Sequence, residues 1–221
     1  MAKSRTALIV GATGLTGKHL LEFLLADGRY ASVHALVRKA ALQPHPKLSE
    51  HVINFESLGK LPKADDAFCC LGATIRQAGS QAAFRKIDFD YVVNFATAAK
   101  AAGVKRFLVV SALGANAKSS VLYNRVKGEM ENALKAMNFE SPHIFRPSLL
   151  LGERAEARAG ERLGIKVFSA LAPLMIGPAR RVRPVEAKVV AQGVVLAANG
   201  GLLGVTVIES DQIAALTGGS S

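Results

Sequence analysis

The chain has 221 residues, of which 50% are hydrophobic and 20% charged, a composition that suits one folded domain and excludes an intrinsically disordered protein. Lys and Arg total 28 against 17 Asp and Glu, and the resulting net charge of +11 favours an anionic partner such as a phosphorylated cofactor, nucleic acid or acidic lipid. The composition argues against nucleic acid, because aromatic residues make up only 6% of the chain and basic residues are not interleaved with them.

Targeting and redox features predict a cytoplasmic protein without a membrane segment. The apolar stretch after the charged N-terminus covers only residues 7–10, too short for a signal peptide, and no run approaches the roughly 18 apolar residues of a membrane span. Cys69 and Cys70 are adjacent, so neither a disulfide framework nor a metal site is expected. Residues 218–221 are expected to form a flexible tail.

The order of the predicted elements indicates an α/β fold. Residues 6–10 form a short apolar run that ends at Gly11, residues 15–27 have helical spacing, and residues 32–37 form a second strand after a break at Gly28. The alternation continues with strands at 52–55, 67–71, 107–110 and 143–145 and with helices at 84–102 and 121–137. We therefore expect a Rossmann-type doubly wound parallel sheet with helices on both faces.

The pattern becomes less regular after Pro147. Residues 154–162 carry both signs of charge, residues 171–178 are apolar but interrupted by proline, and residues 185–198 return to helical spacing. We therefore divide the chain into a Rossmann domain at residues 1–150 and a small C-terminal substrate lobe at residues 151–217, integrated with the sheet.

A glycine-rich segment lies between the first strand and the first helix. It reads Gly11-Ala12-Thr13-Gly14-Leu15-Thr16-Gly17, which is where a dinucleotide-binding fold places its phosphate turn. Glycines permit a sharp turn and a close approach of pyrophosphate, while free N–H groups and the positive end of the helix complement its charge. The alternative is an ordinary strand-to-helix turn. The flanking strand and helix favour dinucleotide binding.

The residue after the second strand bears on the choice of cofactor. NAD enzymes usually place an acidic residue here to bind the ribose hydroxyls, whereas a 2′-phosphate requires a cation. This chain has Arg38, whose planar guanidinium suits a phosphate, followed by Lys39. We predict NADP(H) rather than NAD(H) as the preferred cofactor. The alternative is a solvated arginine at a strand end.

Three residues predict proton-transfer chemistry. Ser111 follows the strand at 107–110, and Tyr123 and Lys127 are four residues apart on the next helix, so that they share one face. A nearby ammonium favours the tyrosine phenolate and brings its pKa closer to neutral pH, which suits a general acid or base. Ser111 could hydrogen-bond the reacting oxygen. A surface pair on an amphipathic helix is the alternative for Tyr123 and Lys127.

Together these residues resemble the short-chain dehydrogenases/reductases, in the extended-to-atypical branch with a G-x-x-G-x-x-G turn and a Ser, Tyr-x-x-x-Lys site. Within that branch, three further segments resemble the Tat-interacting-protein-like oxidoreductases, and they occur in the right order. They are Phe68-Cys69-Cys70-Leu71-Gly72-Ala73-Thr74, Tyr123-Asn124-Arg125-Val126-Lys127-Gly128-Glu129 and Phe145-Arg146-Pro147-Ser148-Leu149-Leu150-Leu151. The resemblance covers nearly the whole chain.

The resemblance implies a role for each part of the cofactor site. The pyrophosphate would be held by Gly11, Thr13, Gly14, Leu15, Thr16 and Gly17, and the 2′-phosphate by Arg38. Leu71 and Gly72 would pass under the cofactor, and Pro147 would lie near the nicotinamide. The family's usual Asn on the helix before the Ser strand has two candidate positions here, Asp88 and Asn94.

The same resemblance implies the catalytic roles. Tyr123 would be the general acid in carbonyl reduction, and Ser111 would polarise the substrate carbonyl. Lys127 would lower the pKa of Tyr123 and bind the nicotinamide ribose. The resemblance supplies no substrate pocket, because the chain is shorter than most extended members of the family.

Two functions from different classes fit these residues. The first is an NADPH-dependent oxidoreductase that reduces a small carbonyl compound by hydride transfer, with Tyr123 as general acid. The second is an NADP(H)-binding redox sensor or protein-interaction module with little or no turnover. The complete set Ser111, Tyr123 and Lys127 favours the enzyme, because a sensor needs only the cofactor cleft.

Overall fold

The computed structural model describes residues 4–152, 177–201 and 203–218. Its strands, in chain order, are β1 (Arg5–Val10), β2 (Tyr30–Val37), β3 (Leu48–Val52), β4 (Asp66–Cys69), β5 (Arg106–Val110), β6 (Ser141–Arg146), β7 (Leu150–Leu151), β8 (Val185–Glu186) and β9 (Thr206–Glu209). Seven of them form one sheet in the order β3-β2-β1-β4-β5-β6-β9, and every pairing is parallel. The chain winds outward from β1 to β3 and then returns to β4, so the predicted doubly wound sheet is confirmed.

Helices cover both faces of this sheet. They are α1 (Leu15–Ala26), α2 (Ile75–Ala78), α3 (Gln81–Arg85), a π-helical turn (Lys86–Asp90), α4 (Tyr91–Ala101), α5 (Leu122–Ala136), a 3-10 helix (Gly177–Val182), α6 (Ala187–Asn199) and α7 (Ser210–Leu216). On one face Leu20 and Leu24 of α1 pack with Val190 and Val194 of α6. On the other face α4 and α5 bury the second core, which includes Phe95 and Met130. The sheet therefore lies between two apolar layers, as its uninterrupted apolar strands require.

The sequence-based prediction placed the third strand, β3, at the wrong residues and did not include the last strand, β9. The predicted strand at 52–55 is wrong, because β3 ends at Val52 and Phe55 lies beyond it, where its ring stacks on Tyr91 of α4. β3 is an edge strand whose side chains are half-buried or exposed, so it lacks the apolar run that marks the central strands. β9 is only four residues long, and it forms the opposite edge of the same sheet.

The division of the chain at residue 150 stays a prediction, and the main sheet itself continues beyond that point through β9. The small pair β7 and β8 also joins residues from the two sides of the division. The charged segment predicted at 154–162 lies outside the described residues, as do most of the apolar segment at 171–178 and residues 219–221 of the predicted tail. No helix in the described ranges has the length and apolar character needed to cross a membrane.

A buried carboxylate joins the amino ends of the four central strands. Asp66, which begins β4, has no exposed surface and accepts a hydrogen bond from the Tyr30 hydroxyl of β2 at 2.6 Å. Arg5 of β1 lies 3.0 Å from one Asp66 oxygen, and Arg106 of β5 pairs with the other. Burial and the neighbouring carboxylate raise the pKa of Tyr30, so its hydroxyl stays a donor. One aspartate thus satisfies donors from three neighbouring strands.

Replacing this carboxylate with an amide should destabilise the fold. We expect Asp66→Asn to lower the free energy of unfolding by about 3 kcal/mol, because Arg5 and Arg106 lose their counter-charge where they are largely shielded from water. Denaturant-induced unfolding measures the change. The control is Glu140→Gln, which removes an exposed pair with Lys105 and should cost under about 1 kcal/mol. Equal losses in the two variants would show that the Asp66 network adds nothing to an ordinary surface pair.

Candidate functional site

The predicted site segments all follow carboxyl ends of neighbouring strands. Gly11 follows β1, Arg38 follows β2, Leu71 lies just beyond β4, Ser111 follows β5 and Pro147 follows β6. Parallel strands place these ends at one edge of the sheet, and the winding direction reverses between β1 and β4. Ligands of open α/β sheets bind in the crevice at this reversal point. The fold therefore assembles the segments that the sequence predicted separately.

The turn between β1 and α1 accepts only glycine at two positions. Gly11 has φ +76°, and a Cβ on it would lie 2.5 Å from the backbone oxygen of Cys70. A Cβ on Gly17 would lie 1.9 Å from the backbone oxygen of Gly11. The Gly14 amide donates to the same Gly11 oxygen at 2.9 Å and closes the turn. α1 therefore begins in contact with the turn, and the turn in contact with the chain after β4.

The start of α1 offers unpaired donors for an anion. The first helical hydrogen bond runs from the Lys18 amide to the Gly14 oxygen, and within the described residues the amides of Leu15, Thr16 and Gly17 have no acceptor. The first turn carries no acidic side chain that would repel an anion. These donors fit a pyrophosphate held by the backbone at the positive end of the helix.

Arg38 lies in the open at the end of β2. Its side chain is exposed, as is that of Lys39, and within the part of the chain that the structure describes it forms no ion pair with a carboxylate. The last residues of β2 before it, Leu36 and Val37, are buried and hold the strand end in place. A guanidinium at this position is therefore available to an anionic group.

Tyr123 and Lys127 lie on one face of α5, as predicted, in different surroundings. The Tyr123 ring is half-buried and stacks on Phe84, with ring centroids 5.4 Å apart. Lys127 is only 3% exposed, and its Nζ lies 2.7 Å from Oδ1 of Asp88. Burial is the largest single influence on the pKa of Lys127 and lowers it, but the Asp88 carboxylate, together with Tyr123 and Cys69, raises it by more, so the net pKa is raised. Lys127 is therefore an ammonium at physiological pH.

A close helix packing holds this face of α5 in place. Gly128 follows Lys127, and a Cβ on it would lie 2.1 Å from the Ala117 amide in the loop after β5. The Asn116 amide of that loop donates to the Asn124 oxygen at 2.9 Å, next to Tyr123. The backbone of α5 therefore touches the loop that connects it to β5.

Ser111 is buried, and its hydroxyl already has a partner. Its Oγ donates to Oε1 of Glu131 at 2.6 Å, and Glu131 also accepts bonds from Nε and Nη2 of Arg146 at 3.0 and 2.6 Å. The Ser111 amide donates to the Phe145 oxygen at 2.7 Å, which places Ser111 beside the segment that ends in Pro147. The structure thus brings Ser111 to the predicted edge but directs its proton toward α5.

The sequence alone does not predict the acidic partners of Lys127 and Ser111. The resemblance offers Asp88 only as one of two positions for the family's Asn, and it assigns no role to Glu131. The signal for Glu131 was its spacing, because Tyr123, Lys127 and Glu131 occur every four residues and therefore share a helix face. Asn94 of α4 is the other candidate position for the family's Asn. Its side chain donates to the Phe55 oxygen at 3.2 Å.

Three arginines that follow residues 153–176, namely Arg180, Arg181 and Arg183, lie near the same edge of the sheet. Arg181 Nε pairs with Glu209, the last residue of β9, at 3.3 Å. The Ser148 hydroxyl donates to the backbone oxygen of Arg183, which joins the 3-10 helix to the segment after Pro147. Arg181 is therefore engaged in a pair with the protein itself.

Comparisons with known proteins agree with this geometry. A family model described as NAD(P)H-binding matches residues 11–150, more than half of the chain. Protein HTATIP2 of Rattus norvegicus is 38% identical over 176 residues, which cover 76% of this chain and 72% of that protein. Protein fmp52, mitochondrial, of Emericella nidulans is 35% identical over 163 residues, 69% of this chain and 70% of that protein.

Solved structures show the same fold at low sequence identity. MoeE5 in complex with UDP-glucose and NAD superposes with a TM-score of 0.69 at 18% identity, over 96% of this chain and 80% of that chain. UDP-glucose 4-epimerase of Thermotoga maritima with UDP-glucose gives 0.67 at 18% identity, over 98% and 84% of the two chains. At this identity the similarity supports the Rossmann-type fold alone.

The predicted cytoplasmic location is contradicted by these relatives. The fungal proteins from Emericella nidulans, Scheffersomyces stipitis and Candida glabrata that match this chain are all named mitochondrial. The prediction rested on the missing signal peptide and on cysteine usage, and neither feature distinguishes compartments that both lack structural disulfides.

The glycine turn, the strand order and the relatives all point to the same assignment. The turn fits a pyrophosphate, and the family model begins at Gly11, the first residue of that turn. The relatives match over more than two thirds of their own length. This chain belongs to the NAD(P)H-binding family, it has a Rossmann-type fold, and HTATIP2 and the FMP52 proteins are among its relatives.

Proposed function

We propose that this protein is an NADPH-dependent reductase of a small carbonyl compound and that Tyr123 is its general acid. The observation that carries the proposal is the pairing of a half-exposed phenol with a buried ammonium, Lys127, on one face of α5. Burying a lysine side chain costs free energy. If Tyr123 and Lys127 were only a surface pair on an amphipathic helix, Lys127 would not need to be buried. Its presence beside Tyr123, at the ligand-binding edge of the sheet, supports proton transfer over a surface pair.

The cofactor would lie along the carboxyl edge. Backbone donors in the segment of Gly11, Thr13, Gly14, Leu15, Thr16 and Gly17 would hold the pyrophosphate. Arg38 would bind the 2′-phosphate, Leu71 and Gly72 would pass beneath the cofactor, and Pro147 would lie beside the nicotinamide. NADPH supplies the hydride when bound, and the protein supplies its position and the proton.

Tyr123 and Lys127 divide the proton chemistry. The Tyr123 hydroxyl would donate its proton to the carbonyl oxygen as negative charge develops there. The Lys127 ammonium stabilises the phenolate that remains, because opposite charges favour one another most strongly where water is excluded. Lys127 would also hydrogen-bond the nicotinamide ribose.

Ser111 would polarise the carbonyl, and Glu131 determines how its proton becomes available. The Ser111 hydroxyl must turn from Glu131 toward the substrate oxygen. Arg146 makes two hydrogen bonds to Glu131, so the carboxylate keeps a charged partner when Ser111 turns away. A serine hydroxyl rotates freely about its C–O bond, so this exchange needs no movement of the backbone.

The alternative is an NADP(H)-binding redox sensor or protein-interaction module with little or no turnover. Such a module uses the same cofactor cleft, and it gives Tyr123 and Lys127 no chemical task. It predicts cofactor binding without NADPH oxidation in the presence of any carbonyl compound. Cofactor preference and turnover can be tested by separate experiments.

The first experiment compares the affinities for NADPH and NADH. We expect NADPH to bind at least about tenfold more tightly, about 1.4 kcal/mol, and Arg38→Ala to remove most of that difference while NADH affinity stays unchanged. Fluorescence or calorimetric titration at fixed salt measures both affinities.

Arg29→Ala is the matched control for Arg38. Arg29 is exposed and precedes β2, at the opposite end of the same strand, so its removal changes the net charge equally but leaves the site intact. It should leave the NADPH preference as it is. Equal binding of the two cofactors by the unaltered protein would overturn the assigned role of Arg38.

The second experiment tests the general acid. We expect Tyr123→Phe to lower the rate of NADPH oxidation with small aldehydes and ketones by about 100-fold or more, because the proton donor is lost. NADPH affinity should change by less than about twofold, or 0.4 kcal/mol. The rate is followed by the absorbance of NADPH.

Tyr91→Phe is the control for this change. Tyr91 is the first residue of α4, is half-buried, stacks on Phe55 and donates to Glu56 at 3.3 Å, away from Lys127. It should keep the full rate. Undiminished activity in Tyr123→Phe would remove Tyr123 as the acid, and a lack of activity in the unaltered protein that still binds NADPH would favour the sensor.

A further inference from the structure

Asp88 is a buried carboxylate for which the proposed function has no task. It lies in the π-helical turn Lys86–Asp90, which joins α3 to α4 without a break. Phe84, Asp88 and Val92 are all fully buried and occur every fourth residue, so an aspartate occupies a position in the apolar stripe of this helical run. Burying a carboxylate there is costly unless it is paired, so its partners indicate its role.

The helical run carrying Asp88 faces α5 residue for residue. Phe84 stacks on Tyr123, and Asp88, four residues later, pairs with Lys127, four residues after Tyr123. The same run therefore holds both the ring of the proposed general acid and the ammonium beside it. π-helical turns occur often at functional sites, where one extra residue redirects a side chain.

The second oxygen of Asp88 binds the loop after β4. Its Oδ2 accepts a hydrogen bond from the Ala73 amide at 2.9 Å. A Cβ on the neighbouring Gly72 would lie 3.4 Å from Asp88 Oδ1 and 3.5 Å from Lys127 Nζ, so this loop passes directly over the ion pair. Asp88 thus connects Lys127 to the segment that the proposed function places beneath the cofactor.

We propose that Asp88 is a positioning residue of this site, which fixes the Lys127 ammonium beside Tyr123 and limits how strongly that ammonium stabilises the Tyr123 phenolate. The inference rests on the proposed role of Tyr123. An ammonium that already has a carboxylate partner attracts a second anion less strongly than a free one. Asp88 therefore keeps the proton on Tyr123, as a general acid requires before it reacts.

The titratable groups around Lys127 come from the π turn, α5, β4 and the residue that follows β4. They are Asp88 in the π turn, Tyr123 on α5 itself, Cys69 at the end of β4, and Cys70 just after it. Burial raises the pKa of the Cys69 thiol to about 12, and it also raises the pKa of Cys70, so both thiols are neutral at physiological pH. Neither thiol therefore competes with the Asp88 carboxylate as a partner of the Lys127 ammonium.

The test measures ionisation of Tyr123 without substrate or cofactor. The chain has three tyrosines and no tryptophan, so phenolate formation is followed directly by ultraviolet absorbance during a pH titration. Burial and Asp66 raise the pKa of Tyr30, which therefore ionises last. Subtracting the titration of Tyr123→Phe isolates the Tyr123 component from that of Tyr91.

We expect Asp88→Asn to lower the midpoint of the Tyr123 component by about one pH unit or more, because the phenolate replaces Asp88 as the partner of the ammonium. Asp88→Ser is a second neutral variant in case the amide disturbs folding, since water can enter the space that the carboxylate leaves. It should show the same downward shift. Circular dichroism verifies that each variant is folded before titration.

Asp90→Asn is the matched control, because Asp90 lies two residues later in the same π turn and is exposed. It should leave the Tyr123 midpoint unchanged. A carboxylate with only a structural role would alter the unfolding temperature of Asp88→Asn but not this midpoint. An unchanged or raised midpoint in the folded neutral variants would overturn the proposal, whereas a lack of NADPH oxidation by the unaltered protein would count against the reductase alone.

Discussion

Parallel hydrogen bonding of the seven strands in the main sheet is the constraint on which the remaining structure depends. It places every carboxyl end at one edge of the sheet, so the glycine turn and Arg38 meet Ser111 and the segment at Pro147 there, although they are far apart in the chain. The turn is tightly packed at this edge, because Gly11 leaves no room for a Cβ against the Cys70 backbone. The first helix therefore begins where its free amides face the crevice.

Buried charges lie at both ends of the parallel strands, the amino ends and the carboxyl ends. At the amino edge Asp66 joins neighbouring strands through two arginines and a tyrosine. At the carboxyl edge Asp88 pairs with Lys127, and Glu131 pairs with Arg146 while holding the Ser111 hydroxyl. Each buried carboxylate has a cation and a neutral donor, which is how a low-dielectric interior tolerates charge. The first network stabilises the sheet, and the other two surround the proposed chemistry.

The accuracy of the sequence predictions followed the burial of each element. Central strands such as β1 and β5 were predicted to within one residue, because both of their faces are covered and their side chains are continuously apolar. The edge strand β3 was misplaced and β9 was missed, because an edge strand needs neither property. The predicted helix around residues 84–102 begins three residues too late. The spacing of its apolar residues did not predict the π-helical turn.

By itself the sequence determined the class of fold, the glycine turn and the helical spacing of Tyr123 and Lys127, because each of these depends on residues close together in the chain. The tertiary structure decided what surrounds those residues. Asp88 pairs with Lys127, 39 residues later in the sequence, and Ser111 bonds to Glu131, 20 residues later. A local sequence pattern does not show which side chains will meet over such separations. Whether a charge is paired or a hydroxyl is free is a property of packing, and packing is set only when the whole sheet and its helices have come together.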